Sequence, residues 1–163
     1  MISTRRIVVG AMLVLLGAVI APAQSPAASD KADALAAAAR KGDAAVVKKL
    51  LDEGVDVNTK YRYGATALSY ASDRGHLDVV KLLLDRGADV HVKDTFYGAT
   101  PLTWAVSPAM GRKPQHIEVV RLLLAKGGYA AETLTNALDA ATRADQPEIV
   151  ALLQRAGAKP KEK

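Results

Sequence analysis

Apolar residues recur at helical spacing in four blocks of the chain, 44–54, 77–87, 117–127 and 147–157. Within each, leucine, valine or isoleucine falls at i, i+3 and i+4, and lysine, arginine, aspartate or glutamate takes the other side. That is the pattern of a short amphipathic helix. Each block closes on a glycine, which suits the left-handed turn that ends a helix. A second apolar block precedes each of them. These blocks start at Leu35, Leu68, Leu102 and Leu138, and each has an alanine three residues on. The leucines are 33, 34 and 36 residues apart, so a pair of helices is spelled four times at the period of a stacked repeat.

Helices this short do not persist alone in water. Each must lay its apolar stripe on a neighbour, and stability then grows with each added interface. The middle two pairs open in the same way, with Gly64-Ala65-Thr66-Ala67-Leu68 and Gly98-Ala99-Thr100-Pro101-Leu102. There the threonine can cap the helix, and Pro101 suits its first turn. The outer pairs depart from this opening. The first starts from Ser29 or Asp30 as a cap, and the fourth lacks the Gly-x-Thr-Pro entry, so both read as capping units. From Val47 to Val80 is 33 residues, but from Val80 to Val120 is 40. The surplus lies in 107–115, whose two prolines and one glycine predict a loop between the helices of the third pair. Half the chain is hydrophobic, yet it has only five tyrosines, one phenylalanine and one tryptophan. Alanine and leucine carry the apolar content, which favours close-packed helices over a β-sandwich.

The stretches GATALSYA (64–71), GATPLTWA (98–105), GHLDVVKLLLDRGADV (75–90) and GVDVNTK (54–60) resemble the ankyrin repeat. The resemblance implies an all-α solenoid of about four stacked helix-turn-helix repeats with finger loops. The repeats would span about 32–60, 61–94, 95–130 and 131–158. They would be preceded by a short linker at 24–31 and followed by a basic tail at 159–163. The histidine of the usual Thr-Pro-Leu-His signature is replaced by Ser69 and Thr103, which weakens a polar link between fingers but not the fold. Partners of such proteins dock on the finger tips and on the concave face of the inner helices. Carried over residue by residue, the tips are Tyr61, Arg62 and Tyr63, then Thr95, Phe96 and Tyr97. Tyr70 and Trp104 stand at equivalent inner-helix positions.

The first 23 residues read as a signal peptide rather than as fold. Arg5 and Arg6 precede the uncharged run 7–20, then Ala21-Pro22-Ala23 offers a cleavage site, with Ala27 as the alternative. The apolar run is shorter than a bilayer span. Thr4-Arg5-Arg6 leaves the twin-arginine route open beside the ordinary one. With no cysteine, neither a disulfide nor a lipid-bearing cysteine is available. A small exported bacterial protein is therefore expected, in the periplasm or secreted, monomeric and without a stable membrane anchor once cleaved. Without Arg5 and Arg6 the balance is 20 basic to 17 acidic residues, too even to suggest nucleic-acid binding.

No Ser-, Cys- or metal-centred catalytic motif occurs, so no enzyme activity, cofactor or metal is expected. His76 and His116 repeat at the start of an outer helix, which is a structural recurrence. His91 stands alone in a finger and is expected to be solvated. The residues that point to function are aromatic and basic, the composition of interface hot spots. Those assigned to partner binding are Arg62, Tyr63, Asp73, Arg74, Phe96, Tyr97 and Trp104. The inserted loop adds Met110, Arg112 and Lys113. The expected function is non-catalytic binding of another protein, stabilising or inhibiting it. Two other readings are an enzyme or metal activity centred on loop 107–115, and attraction of an anionic envelope polymer or lipid to the basic rim.

Overall fold

A computed structural model of the protein describes residues 26–107 and 113–161. Met110, Arg112 and the segment read as a signal peptide lie outside the described residues. Among the described residues there are eight α-helices and no strand. Inner helices α1 (Pro26–Lys41), α3 (Ala67–Arg74), α5 (Pro101–Val106) and α7 (Ala131–Arg143) alternate with outer helices. These are α2 (Ala44–Asp52), α4 (Leu77–Asp85), α6 (Gln115–Lys126) and α8 (Pro147–Arg155). Each inner helix packs on its own outer helix and on the inner helix of the next pair, and the outer helices stack likewise. The result is a two-layered succession of helix pairs.

The periodic leucines are the reason for the stacking. Leu35, Leu68 and Leu102 of the inner layer are wholly buried, as are Leu83, Leu123 and Leu153 of the outer layer. Ala39, Ala71, Ala105 and Ala141 are also fully covered, because a side chain of one carbon lets neighbouring inner helices approach. The caps form where the threonines stand. Thr66 accepts from the Ser69 backbone N–H, and the Ser69 hydroxyl accepts from the Thr66 N–H. Thr100 accepts from the Thr103 N–H, with Pro101 in the first turn. Ser69 and Thr103, which replace the expected histidine, thus act within their own caps.

Polar ties run from pair to pair. The Nε2–H of His76 donates to the Arg40 carbonyl at 3.0 Å, and that of His116 donates to the Asp73 carbonyl at 3.0 Å. In the fourth pair Gln146 does the same work, its Nε2–H donating to the Val106 carbonyl at 3.1 Å. Each thereby satisfies a carbonyl at the end of the preceding inner helix, where no intrahelical donor is left. The rings fit against Gly42 and Gly75: a β-carbon built on Gly75 would stand 2.8 Å from the His116 ring. Between the fingers, Asn58 donates to the Gly87 carbonyl at 3.3 Å and accepts from the Asp89 N–H at 2.8 Å.

Three features differ from the sequence expectation. The segment 24–31, expected as a linker, is helical from Pro26, and Ser29 and Asp30 lie inside α1 rather than capping it. The run is rich in alanine, the best helix former. Lys31 also pairs with Glu53 of the first outer unit at 2.7 Å, which holds the Glu53 carboxyl below its ordinary range. His91 is exposed but not alone, since its ring meets Tyr129 edge-on at 5.1 Å. In the fourth pair no finger precedes the inner helix: α6 ends at Lys126 and α7 begins at Ala131.

Candidate partner-binding surface

The first finger turns through Tyr61, Arg62, Tyr63 and Gly64. The Tyr61 N–H closes the turn by donating to the Ala65 carbonyl at 2.8 Å. Tyr63 sits in the left-handed region with φ 60° and ψ 24°, a conformation costing a non-glycine residue roughly 1 kcal/mol. The next finger is one residue longer. The Asp94 N–H donates to the Ala99 carbonyl at 3.0 Å, and the tips are joined by the Thr95 N–H donating to the Tyr63 carbonyl at 2.7 Å.

Asp94 organises the second finger. Its carboxylate is buried and takes four N–H donors. Oδ1 accepts from Phe96 at 2.9 Å and Tyr97 at 2.7 Å; Oδ2 accepts from Ala99 at 3.2 Å and from the Trp104 indole at 3.0 Å. One side chain therefore fixes the finger backbone and orients an inner-helix tryptophan. The first finger has Tyr61 in the matching place after its lysine, and there a ring replaces the carboxylate, packing on Tyr70 with centroids 6.0 Å apart.

These turns deliver a chain of rings to one surface. Tyr63 meets Phe96 at 5.4 Å, Phe96 meets Tyr97 at 4.5 Å, and Tyr97 meets Trp104 at 5.8 Å. Tyr63, Phe96 and Tyr97 are 49%, 63% and 71% exposed, so three neighbouring aromatic residues face solvent. A contiguous exposed patch of this kind on a small protein marks an interaction site. Tyr70 and Trp104 are half-buried and form the floor. The rings bound a largely apolar cavity of about 380 Å³ with Arg40 and Arg62 at its edge. Arg40 lies over the Tyr70 ring at 3.8 Å and Arg62 over Tyr63 at 4.7 Å. A smaller cavity of about 190 Å³ continues along α3 to Asp73 and Arg74.

Of the residues expected to bind a partner, Arg62, Tyr63, Phe96, Tyr97 and Trp104 meet in this groove. Asp73 and Arg74 line its continuation, half-buried, and pair with each other at 3.2 Å. Lys113 is exposed at the edge of the inserted loop and lines neither cavity, and its N–H donates to His116 Nδ1 at 2.8 Å. Met110 and Arg112 lie outside the described residues. Sequence reasoning missed Asp94, and Arg40, at the end of an inner helix, reads in the sequence only as one more charge of the basic rim. Both repeat-related histidines use Nε2 to reach backbone carbonyls, and His116 also uses Nδ1. No cluster of three metal-ligating side chains occurs among the described residues.

Burial raises the pKa of the Tyr61 phenol, with a smaller contribution from Asp33, and burial likewise raises that of Tyr129, helped by Asp89. A phenol whose folded pKa lies above its unfolded value stabilises the fold fully below the unfolded pKa, about 10. That stability is lost as the pH rises from there towards the folded pKa, because the unfolded chain releases the proton first. Denaturant midpoints should therefore fall above about pH 10, and Tyr61→Phe with Tyr129→Phe should flatten that fall.

The stacked pairs, the projecting tips and the aromatic groove define a helical repeat solenoid built to present one continuous surface. A model of the family described as ankyrin repeats (3 copies) matches residues 12–94 and 35–128. The chain belongs to the ankyrin-repeat family. Its domains are protein-interaction modules and are generally non-catalytic. A search of curated proteins finds no significant match.

Proposed function

We propose that the chain is an exported, non-catalytic binding module. It would hold a partner protein in the bacterial periplasm through its finger tips and the concave face of the inner helices, and so stabilise or inhibit that partner. The observation that carries this reading is the unbroken row Tyr63, Phe96, Tyr97 and Trp104, exposed at the tips and anchored at the floor. Exposed rings held by a rigid scaffold give large contact area at small ordering cost, which is what a binding surface needs. The periplasmic address rests on the charged, apolar and small-residue order of residues 1–23.

The test is affinity capture from an envelope fraction with the mature chain as bait. A protein retained by the wild type should be lost with Tyr63→Ala plus Phe96→Ala, while Val46→Ala, an exposed position on an outer helix, leaves capture intact. Retention indifferent to the ring substitutions, or no retained protein at all, would reject the reading.

A further inference from the structure

We propose that the groove takes an extended acidic segment of the partner: an apolar side chain enters between Tyr63, Tyr97 and Trp104, and a neighbouring carboxylate lands on Arg40 and Arg62. This rests on the protein-binding reading above and adds the chemistry of the ligand.

The argument is one of charge left unmatched in an apolar place. Arg74, Arg86, Arg121 and Arg143 each have a carboxylate within ion-pair distance, namely Asp73, Asp52, Glu118 and Asp139. Among the described residues Arg40, Arg62 and Arg155 have no such ion pair, and of these Arg40 and Arg62 border the largely apolar hollow. The one carboxylate in that hollow, Asp94, is already engaged by four N–H donors and is not free to turn towards a guanidinium. A neutral apolar ligand would strip water from two cations and return nothing, a costly arrangement. A cationic ligand, which the rings alone would attract, is repelled. A ligand carrying a carboxylate beside its apolar group resolves both difficulties.

The geometry suits such a group. Arg40 lies on Tyr70 at 3.8 Å, so its face is occupied and its N–H edges remain for a planar acceptor. The Trp104 indole N–H is held by Asp94, so Trp104 offers the ligand its ring and no donor. The two adjoining cavities share Arg40, Ala65, Tyr70 and Trp104. The trough therefore runs from the finger tips along α3 to Arg74, a shape for a chain segment rather than for one compact molecule.

Trp104 is the only tryptophan of the chain, so its emission reports on the groove directly. The probe is an acetylated, amidated peptide of about nine residues with a central Leu-Phe pair flanked by glutamates, titrated into the full chain. Saturable change in Trp104 emission is expected. Affinity should fall about tenfold or more when lysines replace the glutamates, and similarly when serines replace Leu-Phe. Arg40→Gln should weaken binding about tenfold, and Arg40→Lys less, with the far-ultraviolet dichroism unchanged in both. Tyr97→Ala should weaken it comparably. The proposal is overturned if the lysine peptide binds as well, if Arg40→Gln has no effect, or if the acidic peptide does not bind. It is also overturned if polyphosphate displaces the peptide and Tyr97→Ala is without effect, which would make the site a simple polyanion rim. Capture of a protein that depends on Tyr63 and Phe96 would survive each of these results, so failure here is distinct from failure of the protein-binding reading.

Discussion

Replacing His116 by alanine should lower the stability of the fold by about 3–4 kcal/mol, read as the shift in a denaturant midpoint. The ring is fully buried. Its Nε2–H donates to the Asp73 carbonyl of the preceding pair, and its Nδ1 accepts from the Lys113 N–H at the end of the inserted loop. Removal opens a cavity between two repeats and leaves the Asp73 carbonyl and the Lys113 N–H without this partner. His116→Gln should restore much of the loss, because Gln146 already makes the equivalent bond to the Val106 carbonyl. His76→Ala should cost less, since His76 is only partly buried and reaches only the Arg40 carbonyl. The close fit of His116 to Gly75 supplies an independent check. Gly75→Ala alone would be strained by φ +68° and by ring atoms 2.8–3.1 Å from the new β-carbon. In the His116→Ala background the second cost should vanish and the first remain, so the two substitutions should couple in a double-mutant cycle. Additive losses would mean that the ring does not occupy that space.

The parts of this architecture that repeat were legible in the order of residues, and the parts that do not repeat were not. Leu35, Leu68 and Leu102 announce a buried stripe because they return at nearly equal intervals with alanine three places on. His76 and His116 announce a structural role by returning at the same place. Tyr63, Phe96 and Tyr97 could be placed at finger tips because the glycine and threonine that follow fix where each turn ends. Asp94 offers no such signal. A lone aspartate in a finger reads as an ordinary turn residue, and its importance arises only when the backbone curls so that Phe96, Tyr97 and Ala99 aim their N–H groups at one carboxylate. The comparison Lys60-Tyr61 against Lys93-Asp94 held a clue, since one finger has a ring where the other has an acid. Arg40 reads as a charge at a helix end until Tyr70, thirty residues on, is placed beneath it. Gln146 hides the same tie because it is not a histidine and lacks the glycine that precedes His76. Asp145 stands there instead, at φ 49°.

Substituting Asp94 should disable the binding surface while leaving the stack of helices in place. Asp94→Ala removes the acceptor of three backbone N–H groups and one indole N–H at a buried position. Donors left without partners in such a place cost about 1–3 kcal/mol each, less where the finger can relax towards water. A net loss of about 2–4 kcal/mol is expected, concentrated in the second finger because each repeat depends mainly on its neighbours. Hydrogen exchange should therefore accelerate at Phe96, Tyr97 and Ala99 and stay slow in α4, whose Leu83 is fully buried. Trp104, released from its acceptor, should change its emission in the absence of any ligand. Asp94→Asn is the sharper variant. It preserves volume, but its amide turns two donors towards donors, so it should lose most of the same stability even though it is nearly isosteric. The aromatic row would then lose its anchor at both ends of Tyr97, and acidic-peptide affinity should fall at least as far as with Tyr97→Ala. If Asp94→Asn instead exchanges, fluoresces and binds like the wild type, the finger is held by ring packing alone. The carboxylate would then be a passenger in a turn that Tyr63, Phe96 and Gly98 suffice to form.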